Sequence, residues 1–163
     1  MCIYYRPINS ETKPSPYPMN RVDDCLAKAK NKDLFSKLDA RSGFSQILVA
    51  EGDQPKTAFW WKGQAWMYIR APFGLTNIPS HFQAVMDNII ITEGLSDFCC
   101  CYIDDILIFP DTIEEHEKHV KLVLQALYKY NLRAHPDKST SMAPVMEFLG
   151  FNVNGIGITP MEA

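Results

Sequence analysis

Two short apolar runs, residues 98–103 and 106–109, flank the adjacent carboxylates Asp104 and Asp105 in the stretch DFCCCYIDDILIFP. Both runs are rich in aromatic and β-branched residues and have the length of buried strands, which predicts a hairpin carrying two anions at its tip. Aspartate tolerates turn geometry, so an ordinary turn is one reading. A tight two-residue hairpin, however, favours Asn-Gly or Asp-Gly, because its central residues take positive φ. Neighbouring anions between buried strands also repel each other and lose solvation unless positive charge sits beside them. A divalent cation would answer that cost, and this is the second reading.

The 163 residues, 47% of them hydrophobic, amount to one domain with enough apolar content to bury a core. The opening MCIYYRPINSETK lacks the apolar core of a signal peptide, and no run of 18 apolar residues follows, so no membrane segment is expected. Cysteines stand at 2, 25, 99, 100 and 101. An odd count with three in a row makes no disulfide framework, and reduced thiols in an intracellular setting are expected. Successive strand residues point to opposite faces, so the triplet reads as core filler and not as a chelator. The net charge of −3 counts at first sight against nucleic acid, but it is unevenly spread. Residues 1–70 hold eleven Lys/Arg against seven Asp/Glu, and residues 71–163 hold five against twelve. That division suits a polyanion on one side and metal ligands on the other, or simply two solvated faces.

Taken in order, residues 1–20 carry four prolines and read as irregular. Asn20 is placed to cap a helix with Val22, Cys25, Leu26 and Ala29 on one face, and Lys28, Lys30 and Lys32 mark its end. LFSKLD (34–39) alternates as a central strand that stops at Asp39, and 40–44 form a compact turn packing Phe44 beneath the strand end. An aspartate there is also a common turn or cap residue. Residues 45–49 continue as a short element, and 57–69 read as a hairpin turning at Gly63. Its tryptophans 60, 61 and 66 read as packing in preference to base stacking. A helix starts near Pro79 with Phe82, Val85, Met86, Ile89 and Ile90 at helical spacing. Thr112 and Glu115 form a capping box for a helix over 112–130, with Val120, Val123, Leu124, Leu127 and Tyr128 on its buried face. His116 and His119 are three apart, whereas a zinc-protease helix needs four. A second hairpin over 147–159 turns at Gly155. Strands and helices mix without strict βαβ alternation, so the class is α+β.

If the strands ending at Asp39 and at Asp104–Asp105 are neighbours, three carboxylates meet at one sheet edge. Mg²⁺ takes few carboxylates and completes its shell with water and substrate phosphate. Two such ions, roughly 3.5–4 Å apart, activate an attacking hydroxyl and stabilise the leaving group of an in-line displacement. The blocks YRPIN (5–9), FSKLDARSGFSQI (35–47), KTAF (56–59), APFGLTNIPSHFQ (71–83), YIDDILIF (102–109), PDK (136–138) and FLGF (148–151) occur in this order over nearly the whole chain. In them the sequence resembles the reverse transcriptases, most closely the polymerase domain of gypsy-like LTR retrotransposon Pol polyproteins.

That resemblance implies an RNA-directed DNA polymerase that adds dNTPs to a primer 3′-OH on an RNA or DNA template, using two Mg²⁺ ions with Mn²⁺ as an alternative. It implies a ferredoxin-like palm sheet with helices on one face, built from 34–49 and 74–163 and ending in a primer-grip-like hairpin. Partial fingers would come from 1–33 and 50–73. Asp39, Asp104 and Asp105 would bind the metals, with the Ala40 carbonyl beside one of them. Backbone amides of Ala40, Arg41, Ser42 and Gly43 would cradle the triphosphate. Phe44 would exclude a 2′-OH, and Phe73 and Gly74 would lie against the nucleotide. Phe148, Leu149, Gly150 and Phe151 would grip the primer, Arg6 would contact template, and Lys138 would protonate departing pyrophosphate or stand solvated. Thumb, RNase H and integrase, the remainder of a Pol polyprotein, are expected as partners outside these residues, in the cytoplasm or a virus-like particle. Tyr4 stands where close relatives usually carry Asp, Pro110 where Ser is frequent and Ser139 where Cys is frequent. An inactive remnant, or a domesticated nucleic-acid-binding fragment, is the alternative reading.

Overall fold

The structure, a computed structural model, describes residues 3–19 and 22–161. The cap expected at Asn20 lies outside them, as does Cys2. In chain order the elements are α1 (Arg6–Glu11), α2 (Val22–Ala29), β1 (Phe35–Asp39), β2 (Phe59–Trp61), β3 (Gln64–Trp66), α3 (Ile78–Thr92), β4 (Cys99–Tyr102), β5 (Asp105–Ile108), α4 (Ile113–Lys129), β6 (Thr140–Ala143), β7 (Val145–Phe148), β8 (Phe151–Asn154) and β9 (Gly157–Pro160). The central sheet has the order β4-β5-β1-β6, and every pair in it is antiparallel. Strand β5 therefore lies between β1 and β4, the strands that α3 connects, which is the split βαβ arrangement of a ferredoxin-like palm.

Both faces of this sheet are covered, which explains why 98–109 reads as a nearly unbroken apolar run. Alternation sends Leu38, Cys99, Cys101, Ile106 and Ile108 to one face, where Phe82, Met86 and Ile89 of α3 and Val123 and Leu127 of α4 meet them. Phe35, Cys100, Leu107 and Phe109 face the other way, onto Cys25, Leu26 and Ala29 of α2 and onto Met146, Phe148 and Val153. The expected one-sided helix layer thus holds for the two long helices, and the short α2 shares the opposite face with the β7–β8–β9 sheet. The four described cysteines are buried free thiols, and for Cys99, Cys100 and Cys101 this is the core filler expected of them. Burial pushes the Cys99 thiol up to about 12. Among the described residues no helix is long and apolar enough to cross a membrane.

Several local expectations need correction. Residues 6–11 are helical because Pro7 sits in the first turn, where its missing N–H costs nothing. The hairpin over 57–69 pairs only from Phe59 to Trp66. Its tryptophans are not core: Trp60 is 78% exposed, and Trp61 and Trp66 are also exposed. Helix α4 does start at the Thr112 cap, whose hydroxyl accepts from the Glu115 N–H at 3.2 Å. Its buried stripe is rotated, however: Leu124 and Tyr128 are exposed, while His116 and Ala126 are buried. The reason is a polar contact that hydropathy does not register, His116 Nε2 against the buried Ser36 hydroxyl at 2.6 Å. The hairpin expected over 147–159 is a three-stranded meander, β7 to β9, preceded by β6 at the edge of the central sheet. Residues 47–49 run along 69–71, with Val49 N–H donating to Ile69 O at 3.0 Å and Ala71 N–H to Ile47 O at 2.9 Å.

Candidate active site

The register of the central sheet sets Asp39, the last residue of β1, directly opposite Asp105, the first residue of β5. Directly opposed residues hold their Cβ atoms roughly 4.5–5.5 Å apart, so the two carboxylates leave the same edge as neighbours. Asp104 occupies the turn between β4 and β5, and its carbonyl accepts from the Ala40 N–H at 2.8 Å, which ties the turn to the end of β1. One oxygen of the Asp104 carboxylate, Oδ1, is buried without a hydrogen-bond partner. Burial first, then the charges of Asp39 and Asp105, push this carboxyl up to about 6, against a smaller lowering by Lys138. A second charge is already matched, because Lys37 Nζ lies 3.0 Å from Asp105 Oδ1.

Among the described residues no three carboxylate, imidazole or thiolate groups converge into a ready-made metal cage. Opposed aspartates with an orphaned oxygen beside them nevertheless suit a hard ion that takes one or two carboxylates and completes its shell with water and phosphate.

The turn itself is held under strain. Ile103 takes φ 53, in the left-handed region that a β-branched residue rarely adopts. Such a conformation costs on the order of 1–3 kcal/mol and persists only where the surroundings over-determine it. Here the determinant is Gln83, fully buried on α3. Its Oε1 accepts from the Ile103 N–H at 2.7 Å, and its Nε2 donates to Cys101 O at 2.9 Å and to Asp87 Oδ1 at 2.9 Å. Cys101 Sγ donates to Ile103 O at 3.0 Å. Neither Gln83 nor Lys37 was assigned a role from the sequence. The available signals were one polar residue inside the apolar face of α3, and one cation in phase with Asp39 on a central strand.

Beyond β1 the chain turns sharply, with Ser42 in the left-handed region at φ 51. Gly43 is buried there, and any Cβ on it would overlap the Asp104 carboxylate and touch Phe82, so the site requires glycine at this position. The four-amide cradle expected over Ala40, Arg41, Ser42 and Gly43 is not available as such. The Ala40 N–H is spent on Asp104, and the Arg41 N–H donates to Arg133 O at 2.9 Å. Phe44 lies against Phe73, at 5.6 Å between ring centroids, and against the buried Phe82 at 5.7 Å. Phe73 is exposed beside it. Gly74 takes φ 98, and its carbonyl accepts from Asn9 Nδ2 at 2.7 Å, linking this wall to α1.

The remaining predicted residues are more dispersed. Lys138 ends a short 3-10 turn, Pro136–Lys138, and its charge reaches Asp104. Arg6 opens α1 with its guanidinium over the Tyr4 ring at 5.6 Å. Leu149 and Gly150, both at positive φ, form the tight turn between β7 and β8. Phe148 is buried in the core, so its side chain supports that hairpin from beneath and is not free to touch a primer.

A reverse transcriptase (RNA-dependent DNA polymerase) family model matches residues 1–153, and the chain belongs to that family. It is similar to the Retrovirus-related Pol polyprotein from transposon opus of Drosophila melanogaster, 39% identical over 97% of this chain and 16% of that protein. The corresponding polyprotein from transposon gypsy of the same organism is 35% identical over 96% of this chain and 15% of that one. A foamy viral protease-reverse transcriptase, solved in complex with RNA/DNA hybrid, has the same fold. It superposes with a TM-score of 0.88 at 24% identity, covering 96% of this chain and 21% of that one. The chain thus spans less than a fifth of these two curated relatives.

Proposed function

We propose that this chain is the palm, with part of the fingers, of an RNA-directed DNA polymerase that works within a Pol polyprotein. The observation that carries the proposal is the pairing of Asp39 with Asp105 beside the orphaned oxygen of Asp104. Palm residues would be 34–49 and 74–163 together with α2, which packs on the palm sheet, and the fingers would come from the rest of 1–33 and from 50–73. Asp39, Asp104 and Asp105, with the Ala40 carbonyl, would hold two Mg²⁺ or Mn²⁺ ions. Such ions, when bound, make a primer 3′-OH nucleophilic and neutralise charge on the phosphate under attack.

The protein's own residues supply position and selectivity. Strands β1 and β5 hold the carboxylates at fixed separation, and the ties from Gln83 to the turn set the height of Asp104. Ser42 and Gly43 carry the amides left for the triphosphate of a dNTP. Phe44, backed by Phe73 and Phe82, would present its ring where a 2′-OH projects, and Phe73 and Gly74 would line the base side. Leu149 and Gly150, braced by Phe148 and Phe151, would lie against the primer strand. Arg6 would contact the template, RNA or DNA, and Lys138 would donate the proton to departing pyrophosphate. The intact set of three carboxylates weighs against an inactive remnant.

The test is addition of one dTMP to oligo(dT) on poly(rA) with Mg²⁺. The expected result is addition by the wild-type chain and none by Asp104→Asn. Addition that persists in the variant, or no Mg²⁺-dependent addition by either protein, would contradict the proposal.

A further inference from the structure

Lys37 lies two residues before Asp39 on β1, so both project from the same face of the strand. Its register partner on β5 is Leu107, and Asp39 faces Asp105. The lysine therefore sits one row in from the carboxylate edge, on the same face. Its stem is bordered by Phe35 and Leu107, both with no exposed surface. An amphipathic lysine normally lays such a stem along apolar surface and turns its ammonium out to water. This one turns to Asp105 instead, 3.0 Å away, with the Lys37 and Asp105 side chains only 23% and 26% exposed. An ion pair so placed roughly breaks even against an apolar pair, so stability does not account for it.

Its effect on the edge is asymmetric. Asp105 has a cation in contact, while the Asp104 oxygen Oδ1 has no partner. A divalent ion drawn to Asp105 meets a resident positive charge and must compete with it. A nucleotide triphosphate brings anionic oxygens that offset both charges together. Resting on the metal-site reading above, we propose that Lys37 is a built-in counter-cation of the carboxylate edge. It weakens binding of a free divalent ion and makes full occupancy of the edge depend on the incoming nucleotide's phosphates.

The test is Mn²⁺ alone, titrated into the 163-residue chain and followed by loss of the free aquo-ion electron paramagnetic resonance signal. Lys37→Met keeps the stem and removes the charge, and Lys37→Gln serves as a second neutral variant should Met disturb folding. Both are expected to bind Mn²⁺ about tenfold more tightly than wild type, equivalent to ~1.4 kcal/mol. Lys37→Arg keeps the charge and is expected to restore wild-type affinity. Adding Asp105→Asn to Lys37→Met is expected to remove the gain. A purely structural role predicts the opposite sign, because a disturbed strand end weakens a metal site. Equal or weaker binding in both neutral variants would overturn the inference and leave the metal site standing. Mn²⁺ binding in no variant, or binding indifferent to Asp39, Asp104 and Asp105, would overturn the metal site and this inference with it.

Discussion

At the tip of β2–β3 the turn is Lys62–Gly63, with φ 49 and 74, and at the tip of β4–β5 it is Ile103–Asp104, with Ile103 at φ 53. The first pair contains the glycine that such a turn favours, and the second places a β-branched residue where glycine belongs. Their settings are reversed as well. Strands β2 and β3 form a sheet of two with three exposed tryptophans, whereas β4 and β5 lie in a four-stranded sheet with core on both faces. An isolated two-stranded hairpin is marginal and depends on relaxed turn chemistry. A hairpin with core on both faces and β1 along one side tolerates strain, and here that strain sits beside the carboxylates. The lesson is that the rigidity of the site comes from its surroundings and not from its turn.

The contrast can be broken first at Gln83. Replacing it with Leu leaves the Ile103 N–H unmet and the Cys101 carbonyl with only a weak thiol donor, Cys25 Sγ at 3.8 Å. The expected loss in urea unfolding is about 1–3 kcal/mol, the cost of one unsatisfied group. Trp60→Ala at the exposed hairpin should stay within about 0.5 kcal/mol of wild type. Similar losses at the two sites would refute the contrast.

A smaller pair of effects sharpens it. Gly63→Ala forces a side chain into the left-handed region, at a cost of roughly 1–2 kcal/mol. Because β2–β3 is isolated, that cost should appear as faster amide exchange across Phe59–Trp66, with little change in global stability. Ile103→Gly relieves about 1–3 kcal/mol of strain, offset by lost burial and a freer unfolded chain, for a net change within about 1 kcal/mol. Exchange at residues 103–105 should nevertheless rise, since the turn is no longer forced into one conformation.

The parts of the fold that were legible in the sequence are those governed by local period and composition. The alternation at 34–39, the apolar face of α3, the Thr112 cap and the buried runs around Asp104 and Asp105 all stand in the structure. Nothing local specified that Asp39 faces Asp105. That contact joins residues 66 positions apart; the strand ends allowed it only as a condition, which the resemblance in ordered blocks then supported. The failures have the same physical origin. The amides of Ala40 and Arg41 are consumed by Asp104 and Arg133. The stripe of α4 is turned by a hydrogen bond between His116 and Ser36. Aromatic content at 59–66 carries no information on whether a neighbouring layer covers it. Pro7 reads as a helix breaker unless it happens to fall in a first turn.

A constrained turn holds Asp104 among like charges, as one of the three carboxylates of the proposed divalent-ion site. With a folded value of about 6 above its ordinary 3.8, the carboxyl favours the folded state in its protonated form. It therefore costs stability as pH rises from about 4 to about 6 and the unfolded chain gives up its proton more readily. The most direct test is a carboxyl-carbon NMR titration of Asp104, with Asp104→Asn to assign the signal, first in chelator and then with Mg²⁺. The account predicts a midpoint near 6 in chelator that falls when Mg²⁺ is added. A midpoint in the ordinary carboxylate range that is indifferent to Mg²⁺ would contradict it.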